Sequence, residues 1–191
     1  MSKSKLRRSK NTLKLSQQGY ELLDKKVFIL NKELEDLKMK LYELDTALDY
    51  HLEQGKYNIK EANISVGFDR IKDLETKIDD SLEVLEGSVM GIDVPLVHWN
   101  TEALPAISKE NMPMTLYKAQ DHFAQYKALV VVKAMLTTSI EKIKMALVKT
   151  TVRANALDTN IIPKQKRLIR GYELIASESE REEFIRISLM K

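Results

Sequence analysis

Three histidines and 28 acidic side chains are the groups in this 191-residue sequence whose types could carry chemistry. Histidine binds metals and moves protons near neutral pH. His51, His98 and His122 fall in three separate segments, and no two have the i, i+4 spacing that sets metal ligands on one helix face. Each therefore reads as a surface or seam histidine. Cysteine is absent, which removes disulfides and cysteine-ligated zinc or iron–sulfur clusters. Neither GxxxxGK[ST] nor GxGxxG occurs, so no glycine-rich loop is set to cradle a phosphate. The carboxylates sit in strongly periodic helical stretches as solvated faces, and a pair of helices offers no deep, water-excluding pocket to perturb them. The expectation is a non-catalytic chain with no cofactor and no metal.

The elements that would position these groups are long helices. Charged residues make up 31% and hydrophobic residues 43%, with only 6 Gly and 4 Pro. So few chain breakers leave little room for the turns of a sandwich, barrel or doubly wound sheet. No run of 18 apolar residues occurs, and the basic N-terminus lacks the apolar stretch of a signal peptide. A soluble, reducing, cytoplasmic setting without direct membrane insertion is the expectation.

Apolar residues recur every seventh position at Leu6, Leu13, Tyr20, Val27, Leu34, Leu41 and Leu48, with a second series three residues on at Leu23, Leu30, Leu37 and Leu44. This 3-4 spacing is the narrow seam of a coiled coil. The seam weakens at His51, Gly55 and Asn58, then resumes in a shifted phase with Ile64, Ile71, Ile78 and Leu85, joined by Phe68, Leu74 and Leu82. A continuous helix over 5–85 would be about 120 Å long. Residues 87–113 hold Gly87, Gly91, Pro95, Pro105 and Pro113, a density of breakers that helix cannot cross. Val94 to Trp99 reads as an extended segment or hairpin, with Pro95 limiting any strand to an edge. From about Leu116 the 3-4 pattern returns in Tyr126, Lys133, Ile140, Leu147, Ala154, Ile161, Leu168 and Ile175, and in Leu129, Leu136, Ile143, Thr150 and Leu157. Pro163 lies inside it and should kink the helix or remove one hydrogen bond.

The expected fold is all-α dominated: a long antiparallel two-helix coiled coil with a short central β-hairpin or irregular insert. The segments are 1–86 as the N-terminal helix, 87–115 as the insert and 116–191 as the C-terminal helix. Charge blocks favour folding back, with +6 over 1–30, −7 over 31–90 and +8 over 116–170. In the expected register Lys142, Lys144, Lys149 and Arg153 face Glu43, Asp45, Asp49 and Glu53, while the arm Lys3 to Lys14 lies against Glu178, Glu180, Glu182 and Glu183. Such pairs select orientation more than they stabilise. Off the seam lie Phe28, Ile29, Met39, Tyr42, Met135, Met145 and Val148, read partly as edge packing and partly as a surface repacking against other chains, which the 8 Met would suit.

Arg153-Ala154-Asn155-Ala156-Leu157-Asp158, Ile161-Ile162-Pro163 and Glu180-Arg181-Glu182-Glu183-Phe184-Ile185-Arg186 resemble the C-terminal helix of the D subunits of the V-type and archaeal A-type rotary ATPases. Leu13-Lys14-Leu15, Gly19, Leu22-Leu23 and Lys25-Lys26 look like that family's opening helix, and Val94-Pro95-Leu96 like its central hairpin. The resemblance runs in order over nearly the whole chain and suggests a divergent bacterial form. It departs at Thr151 and Val152, where the family has arginine, at Val27, Phe28 and Ile29, where basic or polar residues are usual, and at Ser188, where a lysine is usual.

The resemblance implies a central-stalk rotor axle, a non-catalytic subunit of an ion-translocating ATPase that couples ATP synthesis or hydrolysis to proton or other ion transport. It implies partners in the catalytic ring of A and B subunits, in the small F subunit and in the funnel subunit that links to the membrane ring. The location it implies is cytoplasmic, peripheral to the inner membrane. Carried over residue by residue, it sets Arg153, Asn155, Arg181, Phe184, Arg186, Lys25 and Lys26 against the ring, and Val94, Pro95 and Leu96 in the hairpin contact. Asn155 also reads as a polar seam residue fixing register, and Arg181 and Arg186 as partners of Glu178, Glu182 or Glu183 on their own helix. Gly19 reads as a close-approach point or a tolerated helix glycine. The competing functions are a free-standing coiled-coil adaptor or scaffold, and a nucleic-acid binder using Lys3, Lys5, Arg7, Arg8, Lys10 and Lys14. No aromatic residues interleave that basic arm, so no nucleic-acid partner is expected.

Overall fold

The computed structural model describes residues 2–67, 71, 82–99 and 113–190. Among these, the order is helix α1 (Ser2–Val66), strands β1 (Leu82–Val89) and β2 (Ile92–Trp99), helix α2 (Met114–Ala156), a π-helical turn (Leu157–Ile161) and helix α3 (Ile162–Leu189). Two long helical arms thus flank a β-hairpin, the architecture that the heptads and the cluster of breakers dictate. The chain divides into two compact units, one formed by Met1–Asn31 with Met145–Lys191, the other by Lys32–Lys144.

Within each unit the arms run antiparallel. In the first, Lys10 meets Glu173 and Gly19 faces Leu157. In the second, Asp45 meets Lys133, His51 meets His122 and Gly55 faces Phe123. Every member of the two α1 series from Leu6 to Leu48 is buried or half-buried, and Leu30 and Ile143 have no exposed surface at all. Each fully buried aliphatic side chain of that kind contributes about 1.5–3 kcal/mol through the hydrophobic effect.

The register differs from the one read from charge blocks. Asp45 pairs with Lys133 rather than with the stretch Lys142 to Arg153, and Lys10 pairs with Glu173 rather than with Glu178 to Glu183. Exposed charge pairs contribute only tenths of a kcal/mol, so knob-into-hole packing of the seam sets the register and the charges follow it.

The α1 seam also keeps its phase beyond Leu48. His51 is half-buried and Gly55, Asn58 and Ala62 are buried, so small and polar residues continue the same stripe. Gly55 makes room for Phe123, whose ring carbons lie 3.0 Å from where a Cβ would stand. Asn58 satisfies its amide by donating to the Gln54 carbonyl at 2.9 Å. Ile64, expected to open a shifted seam, is 84% exposed. The helix then stops at Val66 rather than near residue 86. Gly67 takes φ +93° and its N–H bonds the Asn63 carbonyl at 3.0 Å, a left-handed helix cap that favours glycine. Leu82 and Leu85 accordingly lie on β1, while Phe68, Leu74 and Ile78 lie outside the described residues.

In the second arm the stripe Leu136, Ile140, Ile143, Thr150 and Ala154 is buried as expected. Past the π turn it moves on by one residue. Ile162 and Ile169 are buried, whereas the expected Ile161, Leu168 and Ile175 are 39%, 38% and 54% exposed. The cause is Pro163. Proline has no N–H and its ring crowds the carbonyl four residues back, so an α-turn is disfavoured there. The preceding turn widens instead, with the Ile162 N–H bonded to the Leu157 carbonyl, and this i→i−5 bond inserts one residue into the helical repeat.

Strands β1 and β2 pair antiparallel, with Leu85 opposite Leu96, Gly87 opposite Val94 and Glu86 opposite Pro95. The two-residue turn Met90-Gly91 has positive φ at both positions, 53° and 74°, as the right-handed twist of a tight hairpin requires. A two-stranded sheet consists of edges, which is why Pro95 is tolerated in β2. Gly87 is a close approach, since a Cβ there would stand 2.6 Å from Leu96 Cδ1.

Candidate interaction surfaces

In the first unit the π turn lies between Arg153 and Pro163. Arg153 and Asn155 are both exposed, so Asn155 is not a seam residue. The Thr159 hydroxyl donates to the Asn155 carbonyl at 2.7 Å, joining the end of α2 to the π turn. Six residues along α1 from Gly19 stands Lys25, and six residues back from Leu157 stands Thr151, so antiparallel pairing sets Lys25 and Lys26 nearly level with Arg153. Lys25 is exposed and Lys26 half-buried. Gly19 itself is an ordinary contact, since an added Cβ would be 3.7 Å from Leu157 Cδ1. Beyond the turn, Asn160, Lys164, Arg167 and Leu168 line a shallow, open depression along one face of the helix.

Apolar side chains stand bare around this basic, polar patch. Met145, Val148 and Val152 form an outer stripe on α2, exposed by 58%, 62% and 62%, and Phe28 on α1 is 72% exposed. Of the residues read as lying off the seam, Met135 alone is half-buried on its own helix face and Ile29 is only modestly exposed. The far end of α3 goes further: every residue of 177–190 is exposed, including Phe184, Ile185, Ile187, Leu189 and Met190. Lys10 meets Glu173, and α1 as described has eight residues on the far side of Lys10 while α3 has sixteen beyond Glu173. The described residues of α1 leave the last turns of α3 uncovered. Arg181 and Arg186 are exposed there with Phe184, well separated along the helix from Arg153 and Asn155.

In the second unit the hairpin buries Val94 while leaving Pro95 half-buried and Leu96 half-exposed, so Leu96 is the member of that triplet that presents surface. Val84 and Leu85 on β1 and Met90 in the turn are exposed beside it. Lys133, the polar member of the α2 seam, is explained by Asp45: its Nζ is 2.7 Å from Asp45 Oδ1. The hydrogen bond to that carboxylate, then its charge and those of Asp49 and Tyr126, hold the Lys133 ammonium above the ordinary lysine value of 10.5.

The His51–His122 contact escaped sequence reasoning. Seventy-one positions separate the two residues, and only the register of α1 on α2 brings Nδ1 to 3.1 Å from Nδ1. Among the described residues, no group of three or more His, Cys, Asp and Glu is arranged to hold a metal ion, and no helix is long and apolar enough to cross a membrane.

Antiparallel arms of coiled-coil seam, a β-hairpin between them and apolar side chains left uncovered on the arms define a coiled-coil protein of the helical-arm-and-hairpin type. The sequence model of the ATP synthase D-subunit family matches residues 5–191, and the chain belongs to that family. It is 28% identical over 187 residues to the D subunit of the V-type ATP synthase of Thermotoga neapolitana, covering 95% of this chain and 91% of that one. It is 25% identical over 201 aligned positions to the D subunit of the A-type ATP synthase of Pyrococcus abyssi, covering 100% and 92%. It is also 25% identical over 185 residues to the D subunit of the V-type proton ATPase of Suberites domuncula, covering 93% and 73%.

Proposed function

We propose that this chain is the central-stalk rotor axle of a V/A-type ATPase, a non-catalytic subunit that transmits torque between the catalytic A/B ring and the membrane ion-translocating ring. Its partners in this reading are the A, B and F subunits and the funnel subunit, and its place is cytoplasmic and peripheral to the membrane. One observation carries the reading beyond family membership: the end of α3 (177–189) is helical yet exposed all round, with Phe184, Ile185, Ile187 and Leu189 bare. A helix of that composition gains from a surrounding apolar wall, and a ring of subunits supplies one.

The physical task of an axle has two parts. It must resist twist, which close packing along a seam provides. It must also present a different face to each ring position, because one part biases another's equilibrium only through contacts that differ between states. Arg153, Asn155, Lys25 and Lys26 form one candidate contact with the ring. Arg181, Phe184 and Arg186 form a second. The exposed hairpin residue Leu96, with Val94 and Pro95 shaping its strand, forms a third, with the F subunit.

Reconstitution with the A, B and F subunits and the membrane sector of its own complex tests the reading. Deleting 177–191 is expected to leave ATP hydrolysis largely in place and abolish ATP-driven ion uptake into vesicles, with far-UV circular dichroism confirming a folded chain. Ion uptake at the full-length rate after that deletion overturns the axle assignment.

A further inference from the structure

The pair formed by His51 and His122 has no role in torque transmission as described above, and its geometry points to a device of another kind. The two Nδ1 atoms lie 3.1 Å apart, with both rings half-buried where α1 packs on α2. The ring centroids are 5.4 Å apart, and Tyr50 sets its ring edge-on to both, at 5.3 Å and 6.1 Å. Gly55 and Phe123 close the next turn in tight contact. A hydrogen bond between two Nδ1 atoms requires one ring to donate and the other to offer a lone pair. A neutral pair satisfies this, and so does a pair carrying one extra proton, with imidazolium donating to imidazole. A second proton removes the acceptor. Two N–H groups and two positive charges then face each other at hydrogen-bond distance inside a packed seam, where screening by water is weak.

We propose that His51 and His122 form a proton-sensitive clasp between α1 and α2, closed while the pair holds at most one extra proton and opened when acid loads the second. The titratable groups flanking the clasp are mostly exposed, where water screens their charges. On α1 they are Asp49, Tyr50 and Glu53; on α2 they are Lys118, Asp121 and Tyr126. Asp49, Glu53, Lys118 and Asp121 are exposed, and the Asp121 carboxylate already accepts a hydrogen bond from Gln125 Nε2 at 3.1 Å. On α1 the seam beyond the clasp is Gly55, Asn58 and Ala62 rather than leucine, so α1 contributes less apolar side chain here than in the leucine layers before it. Loading of the second proton therefore parts the helices at this layer while the leucine layers from Leu30 to Leu48 hold.

The absence of cysteine makes a direct test simple. Spin labels on Glu53→Cys and Lys118→Cys, in the full chain, report the separation of the two helices by electron–electron dipolar spectroscopy. At about pH 7.5 the distance distribution is expected to be narrow, and at about pH 5 its mean should lengthen by at least a side-chain contact, about 4 Å. The same labels in a His122→Asn chain, which cannot hold two charges, are expected to show no lengthening. A His51→Gln chain gives the same comparison from the other helix should His122→Asn fail to fold at neutral pH. An unchanged distance at pH 5 in the labelled parent, or equal lengthening with and without the histidine pair, overturns the proposal.

Discussion

The two halves of α3 have similar apolar content and opposite fates. Ile162 and Ile169 are buried and Gln165, Tyr172 and Ala176 are half-buried, so the first half carries a continuous covered stripe. The second half places Phe184, Ile185, Ile187 and Leu189 in an equally regular helix and covers none of them. Helix propensity and periodicity do not separate the two. What separates them is cover from the opposite helix of the coiled coil, since the described residues of α1 pack on the first half and leave the second bare. Burial in a two-helix seam is a property of the pair, and an apolar helix without its pair advertises a partner elsewhere.

That contrast predicts a large effect on one side and a small one on the other. Truncating a seam residue with no exposed surface, by Leu30→Ala or Ile143→Ala, is expected to cost about 2–5 kcal/mol in urea unfolding of the isolated chain. Phe184→Ala should shift the isolated chain by less than about 0.5 kcal/mol, as exposed substitutions do. In the assembled complex the order should reverse for function, with Phe184→Ala weakening coupling of hydrolysis to transport. Equal costs for Leu30→Ala and Phe184→Ala in the isolated chain would erase the distinction.

Filling the gap at Gly55 sharpens it. An added side chain meets the Phe123 ring, so Gly55→Leu is expected to cost about 1–3 kcal/mol by overpacking, although leucine is the better helix former. Gly19→Leu in the same assay should cost less, because the nearest atom there is already at 3.7 Å. A smaller effect belongs to Pro163. Ile161 beside Ile162, Leu168 beside Ile169 and Ile175 beside Ala176 give the π turn and α3 two adjacent apolar series, and the π turn selects the second. Leu168→Cys is expected to label faster with a thiol reagent than Ile169→Cys, and Pro163→Ala should let the turn relax toward α-helix and narrow that difference. Unaltered rates would show that the π turn has another cause.

The smallest effect is at Asp45–Lys133. The folded chain holds the Lys133 proton more tightly than the unfolded one, so the pair's contribution is complete below the ordinary value of 10.5 and is lost as pH rises through the higher folded value. Asp45→Asn should therefore lower the urea midpoint slightly at pH 8, and parent and variant should draw together as the pH is raised through the folded value. A gap that persists in alkali would assign the effect to packing.

Most of the architecture was legible in the sequence because a 3-4 repeat has few other uses. The Leu6–Leu48 series and the Ile140–Ala154 series name their own buried faces, and Pro and Gly mark the hairpin. Three features were not legible, each for a physical reason. Gly55, Asn58 and Ala62 look like a gap in a hydrophobic pattern, yet small residues bury well when a partner such as Phe123 fills the space. The one-residue shift after Ile161 depends on a backbone hydrogen bond that periodicity does not encode. The meeting of His51 with His122 depends on register, which the exposed charges suggested wrongly. Of the candidate contact residues, Arg153, Asn155, Arg181, Phe184 and Arg186 lie on exposed faces, while Val94 is folded into the hairpin.

Rotation itself is the property to observe. A cysteine placed in the exposed hairpin turn by Met90→Cys gives the chain a single attachment point for a bead, with the catalytic ring of the reconstituted complex fixed to a surface. On addition of ATP, the axle reading predicts unidirectional turning of the bead in discrete steps that stop when 177–191 is deleted. A bead that stays fixed while the ring hydrolyses ATP contradicts it.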